Sequence, residues 1–252
     1  MLPKRLKTNL SQQNWSAILF DLGVVILGVF LGIQLGNLND NRIRNAEFSL
    51  AKERLLQEVD ENLSTLSILE RETRGYIGNV SAGFEALSHC DSDKKEQITR
   101  SINGATGTYG IKLRTDALNQ LLNFEQLQQS KYKDLRNTLS DVKWFVELSL
   151  READVIEMLP LEFPVTESPA VAVSTIVDEK PVEYIGNNYT RKVRQLTLSV
   201  PVEQACQDQQ LLKSLYHWER WQGFLPRMIS NLTQRFEGLK QQLTAPNQTQ
   251  RD

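Results

Sequence analysis

Cys90 follows His89 directly, and Cys206 stands eleven residues before His217; these four are the only thiols and imidazoles in the chain. They bound the nucleophilic and metal chemistry available. A zinc site with two Cys and two His ligands brings its donors in close pairs of recognisable spacing, which this arrangement lacks. No metal ligand set is expected. His217 lies in LYHWERW inside a helical repeat, where a packed or solvated helix residue is the alternative to a general base. No Ser, His and acid constellation stands out from the helical background of Glu and Asp. The sequence therefore predicts no catalytic residue, no cofactor and no enzyme. The cysteines suit a disulfide in an oxidising compartment, with two free buried thiols as the alternative.

Asn103–Gly110, NGATGTYG, places three glycines in eight residues. A phosphate cradle would need GxxxxGK[ST] or GxGxxG after an apolar strand, and neither is present. A loop is predicted. The formal charge of −2 comes without a basic stripe carrying interleaved aromatics, so nucleic acid is excluded as a partner.

One set of residues does carry a physical signal. Gly28, Gly32 and Gly36 recur at four-residue spacing, giving a flat strip on one helix face that admits a second backbone. Asp21, seven residues before Gly28, falls on nearly the same face. An acid there would be disfavoured against lipid and relieved by a protein contact. The opposing reading is that glycine is simply common in membrane helices.

The element that positions them is Trp15–Leu38, 24 residues with no charge after Asp21. At about 1.5 Å per residue it covers a hydrocarbon core of roughly 30 Å. Its apolar run is longer than a signal peptide's and leads into NLNDNRIRN without a cleavage site, which predicts an uncleaved anchor. A buried helix of a soluble core is the alternative. Lys4, Arg5 and Lys7 precede the span with no acid among them. The positive-inside rule then puts the tail 1–14 in the cytoplasm, with Trp15 as an interfacial anchor, and residues 39–244 outside it.

Beyond the span, Phe48, Ala51, Leu55, Val59, Leu63, Leu66 and Leu69 predict a long amphipathic helix over 41–87. It continues from the span or bends at NLNDN, and Gly75, Gly78 and Gly83 should weaken its far end. Asp91, Ser92 or Asp93 caps a short helix over 96–102, and Thr115 or Asp116 caps another running to Phe124. A helix from near Ser130 carries a four-three seam through Leu135, Leu139, Val142, Val146, Ser149, Ala153 and Ile156. Trp144, Phe145 and Leu148 broaden its apolar face, as for a helix with more than one neighbour. Pro160 ends it.

Residues 161–201 hold four of the eight prolines. VAVSTIVD and RKVRQLTLSV alternate as strands of a small hairpin bridged by EKPVEYIGNNYT, or the segment is an irregular insert. The last helix keeps four-three spacing from Leu211 to Leu243, with Gln222 its one polar seam position and Pro226 expected to kink it. The tail 245–252 is expected to be disordered. If the first long helix leaves the membrane and the last returns, Cys90 and Cys206 both fall at the distal end. The fold class is mainly α: a transmembrane helix, then an antiparallel long-helix bundle with a small β-hairpin or irregular insert.

Asp21, Gly28 and the exit Gly36-Asn37-Leu38-Asn39-Asp40 resemble a family of bacterial single-pass membrane proteins catalogued as a domain of unknown function. TDALNQLLNFEQLQQSKYKDLRNTLSD, Thr115 to Asp141, is similar to that family's middle helices. The resemblance implies an anchored, helical extracytoplasmic domain in a bacterial inner membrane and leaves its activity open. The expected partners are membrane lipid and, through the span, a second copy or another membrane protein. The expected role is a structural or interaction module, with a periplasmic ligand-binding or sensory accessory subunit as the alternative.

Overall fold

The computed structural model describes residues 15–184 and 187–245. The expected tails 1–14 and, apart from Ala245, 245–252 lie outside the described residues, as do the side chains of residues 15–18, Trp15 included.

The chain is mainly helical with one two-stranded sheet. Its axis is α1, Trp15–Ser88, 74 residues without a break at NLNDN. Phe48, Ala51, Leu55, Val59 and Leu66 are buried along one side of it. Gly75 and Gly78 do not end the helix: both face open space, and their cost of about 1 kcal/mol each is offset by burial of Thr73 and Val80 on the other side. Gly83 has a different role. A Cβ there would overlap Ser101 Cβ and sit 2.6 Å from the Gln97 carbonyl oxygen. The missing side chain lets α2, Lys95–Gly104, cross closely, with Ser101 Oγ donating to Val80 O at 2.7 Å.

The end of α1 is closed by Cys90 in the left-handed region, φ 54°. Cys90 N donates to Leu87 O and Asp91 N to Ala86 O, the paired bonds that usually accompany glycine at this position. None of the expected caps Asp91, Ser92 or Asp93 caps α2; a 3₁₀ turn, Ser92–Lys94, leads straight into it.

The helix α3, Asp116–Leu122, has no side-chain cap from Thr115. Its first N–H groups are satisfied from a distance instead. Ala117 N and Leu118 N donate to the Glu58 carboxylate at 2.8 and 3.1 Å, and the adjoining Arg114 exchanges two backbone hydrogen bonds with the Asn62 carboxamide. Two buried polar residues of α1 thus hold this segment, which is why no local capping signal was needed.

The helix α4, Lys133–Met158, follows a 3₁₀ turn at Ser130–Tyr132 and buries all seven seam residues from Leu135 to Ile156. Trp144 departs from expectation. It is 61 % exposed, because no second neighbour covers that flank among the described residues.

The insert is a hairpin of β1, Val171–Tyr184, and β2, Asn187–Leu198, pairing Val171 with Leu198 and Tyr184 with Asn187. The predicted bridge EKPVEYIGNNYT is therefore mostly strand, leaving Ile185 and Gly186 between the strands and outside the described residues. Pairing jumps between Val173 and Val177, and Arg194 Nη1 secures the bulge by donating to Thr175 O at 2.7 Å. Asn103 ties the hairpin base to α2, exchanging two 2.8 Å bonds with the Leu196 backbone.

After the short α5, Val202–Ala205, the final seam is carried by two helices: α6, Gln209–Gln222, and α7, Leu225–Thr244. Pro226 does not kink one helix. It sits in the first turn of α7, where its missing N–H costs nothing, and the break falls at Gly223–Phe224. The seam residues Leu211 to Leu243 are nonetheless buried throughout. Two cores result, one of α1, α3, α4 and α7 and one of the far end of α1, α2, the hairpin base and α6.

Candidate functional site

Between Leu19 and Leu38 every large apolar side chain is more than half exposed, thirteen in all, and none of this stretch is buried. Full burial of one such side chain is worth about 1.5–3 kcal/mol, so leaving these in water forfeits on the order of 10–20 kcal/mol. That rivals the whole stability of a domain. A core helix would be covered by its own chain; this one is not. It is long and apolar enough to cross a membrane. A Cβ added at Gly28, Gly32 or Gly36 would meet nothing within 4 Å, so these glycines serve no packing among the described residues. Asp21 is exposed on the same helix.

At the other end Cys90 and Cys206 are joined, their Cα atoms 5.3 Å apart and 116 residues distant in sequence. The bond links the end of α1 to the turn before α6. Asp208, two residues on, accepts from Ser168 Oγ at 2.6 Å, Ala170 N at 3.3 Å, Gln210 N at 2.8 Å and Leu211 N at 3.3 Å. Desolvation pushes its carboxyl up, but the four hydrogen bonds together outweigh it and hold the group below the usual aspartate range.

The glycine loop after α2 is clamped by aromatic tips. Tyr76 OH donates to Gly104 O and Trp218 Nε1 to Gly107 O, each at 2.7 Å, while Tyr109 packs edge-on against Tyr76 at 5.0 Å. Burial, and then the neighbouring Tyr109, raises the Tyr76 hydroxyl above its ordinary pKa. The loop carbonyls are engaged by the protein itself, and a Cβ at Gly107 would press to 2.9 Å from Tyr76 OH.

His217 stacks on Phe163 with centroids 4.0 Å apart, its Nδ1 buried without a partner. Among the described residues no three His, Cys, Asp or Glu converge as metal ligands. Lys112 is held by Asp154 at 2.6 Å on the surface, a hydrogen bond that raises its pKa.

The feature that sequence reasoning missed is a groove of about 300 Å³ beside the α6–α7 break. Phe145, Leu148, Ile156, Trp221, Phe224 and Met228 supply its apolar walls, with Glu152, Arg227 and Asn231 as polar members. Arg235 lies 4.1 Å over the Phe145 ring. The signal was the surplus apolar flank of α4, whose Phe145 and Leu148 are only partly covered among the described residues. No family model, curated protein or solved structure matches the chain.

Proposed function

We propose that this chain is a membrane-anchored helical interaction module without catalytic activity. Trp15–Leu38 spans a bacterial inner membrane with the N-terminus in the cytoplasm, and the bundle stands on the extracytoplasmic side. The strip of Gly28, Gly32 and Gly36, with Asp21, packs against a neighbouring membrane helix. The observation that carries this is a stretch with every large apolar side chain more than half exposed, whose glycines meet no neighbour among the described residues. Lys4, Arg5 and Lys7 support the orientation, and the Cys90–Cys206 bond suits an oxidising compartment.

The test is carbonate extraction of membranes combined with labelling of Ser64→Cys by a membrane-impermeant maleimide in intact cells. Retention in the pellet with outside labelling is expected. Release into the supernatant, or a mature chain that begins beyond Leu38, removes the anchor.

The groove favours a second reading, an accessory subunit that binds an apolar ligand. Its volume lies at the lower end of small-molecule sites, and its polar groups could orient one end of such a ligand. Titration with an apolar fluorescent probe should give saturable binding that Leu148→Arg abolishes. Unsaturable binding in both proteins ends this reading.

A further inference from the structure

The azimuth of α1 carries information beyond the span. At 3.6 residues per turn each residue advances about 100°, so Phe48, Leu55 and Val59 point roughly opposite the glycine strip. All three are buried in the bundle. The domain therefore packs on the back of α1 and leaves the glycine side open from Asp21 to Leu50.

That open side does not become uniformly polar above Leu38. Ile43, Ala46 and Leu50 fall within about 40° of the strip's centre, and they extend it from Gly36 through Asn39 in alternating steps of three and four. Ile43 is 50 % exposed, Leu50 is 46 % exposed, and Ala46 is also exposed. Arg42 and Glu47 flank them, and neither has an ion pair among the described residues. Glu53 is the next three-residue step, about 60° from that centre.

We propose that the open face of α1 from Asp21 to Leu50 is one continuous interface, and that its occupant is a second copy of this chain packed in parallel. The proposal rests on the reading of Trp15–Leu38 as a membrane span. Area limits the occupant to a helix held in the same bilayer. Two turns outside the membrane, about 12 Å by 10 Å, bury only about 240 Å² in total, far short of the roughly 1,200 Å² of a stable interface. Only a helix already held alongside in the bilayer can use them, and the whole strip of about 45 Å reaches about 900 Å². Charge selects a second copy. In a parallel pair Arg42 of each copy faces Glu47 of the other, at the flanking positions that set partner and orientation. Glu53 would face itself, and like charge ends the contact there.

Oxidative crosslinking of the full chain in its membranes, with two differently tagged copies, tests this. Ala46→Cys and Leu50→Cys should each give a mixed-tag dimer at least fivefold above the unsubstituted chain. Arg44→Cys, at the same height on the opposite side, should stay at that baseline. Baseline yields for Ala46→Cys and Leu50→Cys with strong crosslinking of Gly32→Cys would overturn the outer interface while association through the span stands. Baseline yields at all three positions, in protein that resists carbonate, would overturn the second copy as partner and leave the anchor intact. Crosslinking of Arg44→Cys equal to Leu50→Cys would overturn the face. Release by carbonate would instead end the anchored reading on which the interface rests.

Discussion

Gln222 and Tyr109 exchange two hydrogen bonds across 113 residues of sequence: Tyr109 N donates to Gln222 Oε1 at 2.9 Å, and Gln222 Nε2 donates to Tyr109 O at 3.3 Å. The same Nε2 donates to Ile156 O at 3.0 Å. The one polar residue of the last seam is fully buried because it serves as a backbone partner for a loop that has no strand to pair with. Asn62 does the same for Arg114, while Asn103 bonds the backbone of Leu196 on the outer edge of β2.

Gln222→Leu should therefore destabilise the protein by about 3 kcal/mol, since three backbone groups lose a partner at roughly 1–3 kcal/mol each and water recovers part of it. Urea unfolding of the full chain in detergent measures this. A change below about 0.5 kcal/mol would show that the network contributes nothing.

The disulfide closes a loop spanning 116 positions. Replacing both cysteines by serine should lower stability by about 4–5 kcal/mol in the chain-entropy model. In the Cys206→Ser background, Cys90→Gly should be about 1 kcal/mol more stable than Cys90→Ala, because φ 54° suits only glycine well. Peptide mapping without reductant should recover the Cys90–Cys206 pair from native membranes; two free thiols there would count against the bond.

Gly83→Ala should cost about 2–3 kcal/mol, as overpacking against the backbone carbonyl of Gln97 leaves α2 nowhere to move. Gly75→Ala should instead stabilise by up to about 1 kcal/mol, being helical and open. Thermal melts of the two variants should shift in opposite directions, and equal shifts would refute the distinction.

Asp208 sets an acid limb. Its folded pKa lies below the unfolded value, so its contribution is complete above the unfolded pKa of about 3.9 and is lost as pH falls through the folded value. Asp208→Asn should cost about 1–2 kcal/mol at pH 7, where a helix cap and the Ser168 contact are weakened. The difference from the parent should shrink below about pH 4. A pH-independent difference in unfolding free energy would exclude the linkage.

Seams were the legible part. Leu135 to Ile156 and Leu211 to Leu243 could be read because helical burial repeats locally, and periodicity survives even where Gly223–Phe224 interrupts the helix. The glycines of α1 read alike in sequence, yet Gly75 meets solvent and Gly83 meets α2, a distinction made by an element twenty residues away. Glu58, Asn62, Asn103 and Gln222 left no trace because side-chain-to-backbone bonds impose no sequence pattern on their partner. The groove at Trp221 was hidden for a related reason. A surplus apolar flank looks the same whether a neighbour covers it or not.

An unbroken α1 also makes the molecule a lever. From Asn39 to Ser88 the arm measures about 75 Å, so a tilt of about 10° at its base swings Ser88 sideways by about 13 Å. The bundle splints the shaft along its back, and the Cys90 bond welds its tip to the turn before α6. Rotation or tilt imposed at the base arrives at the tip as displacement, with no joint between to absorb it.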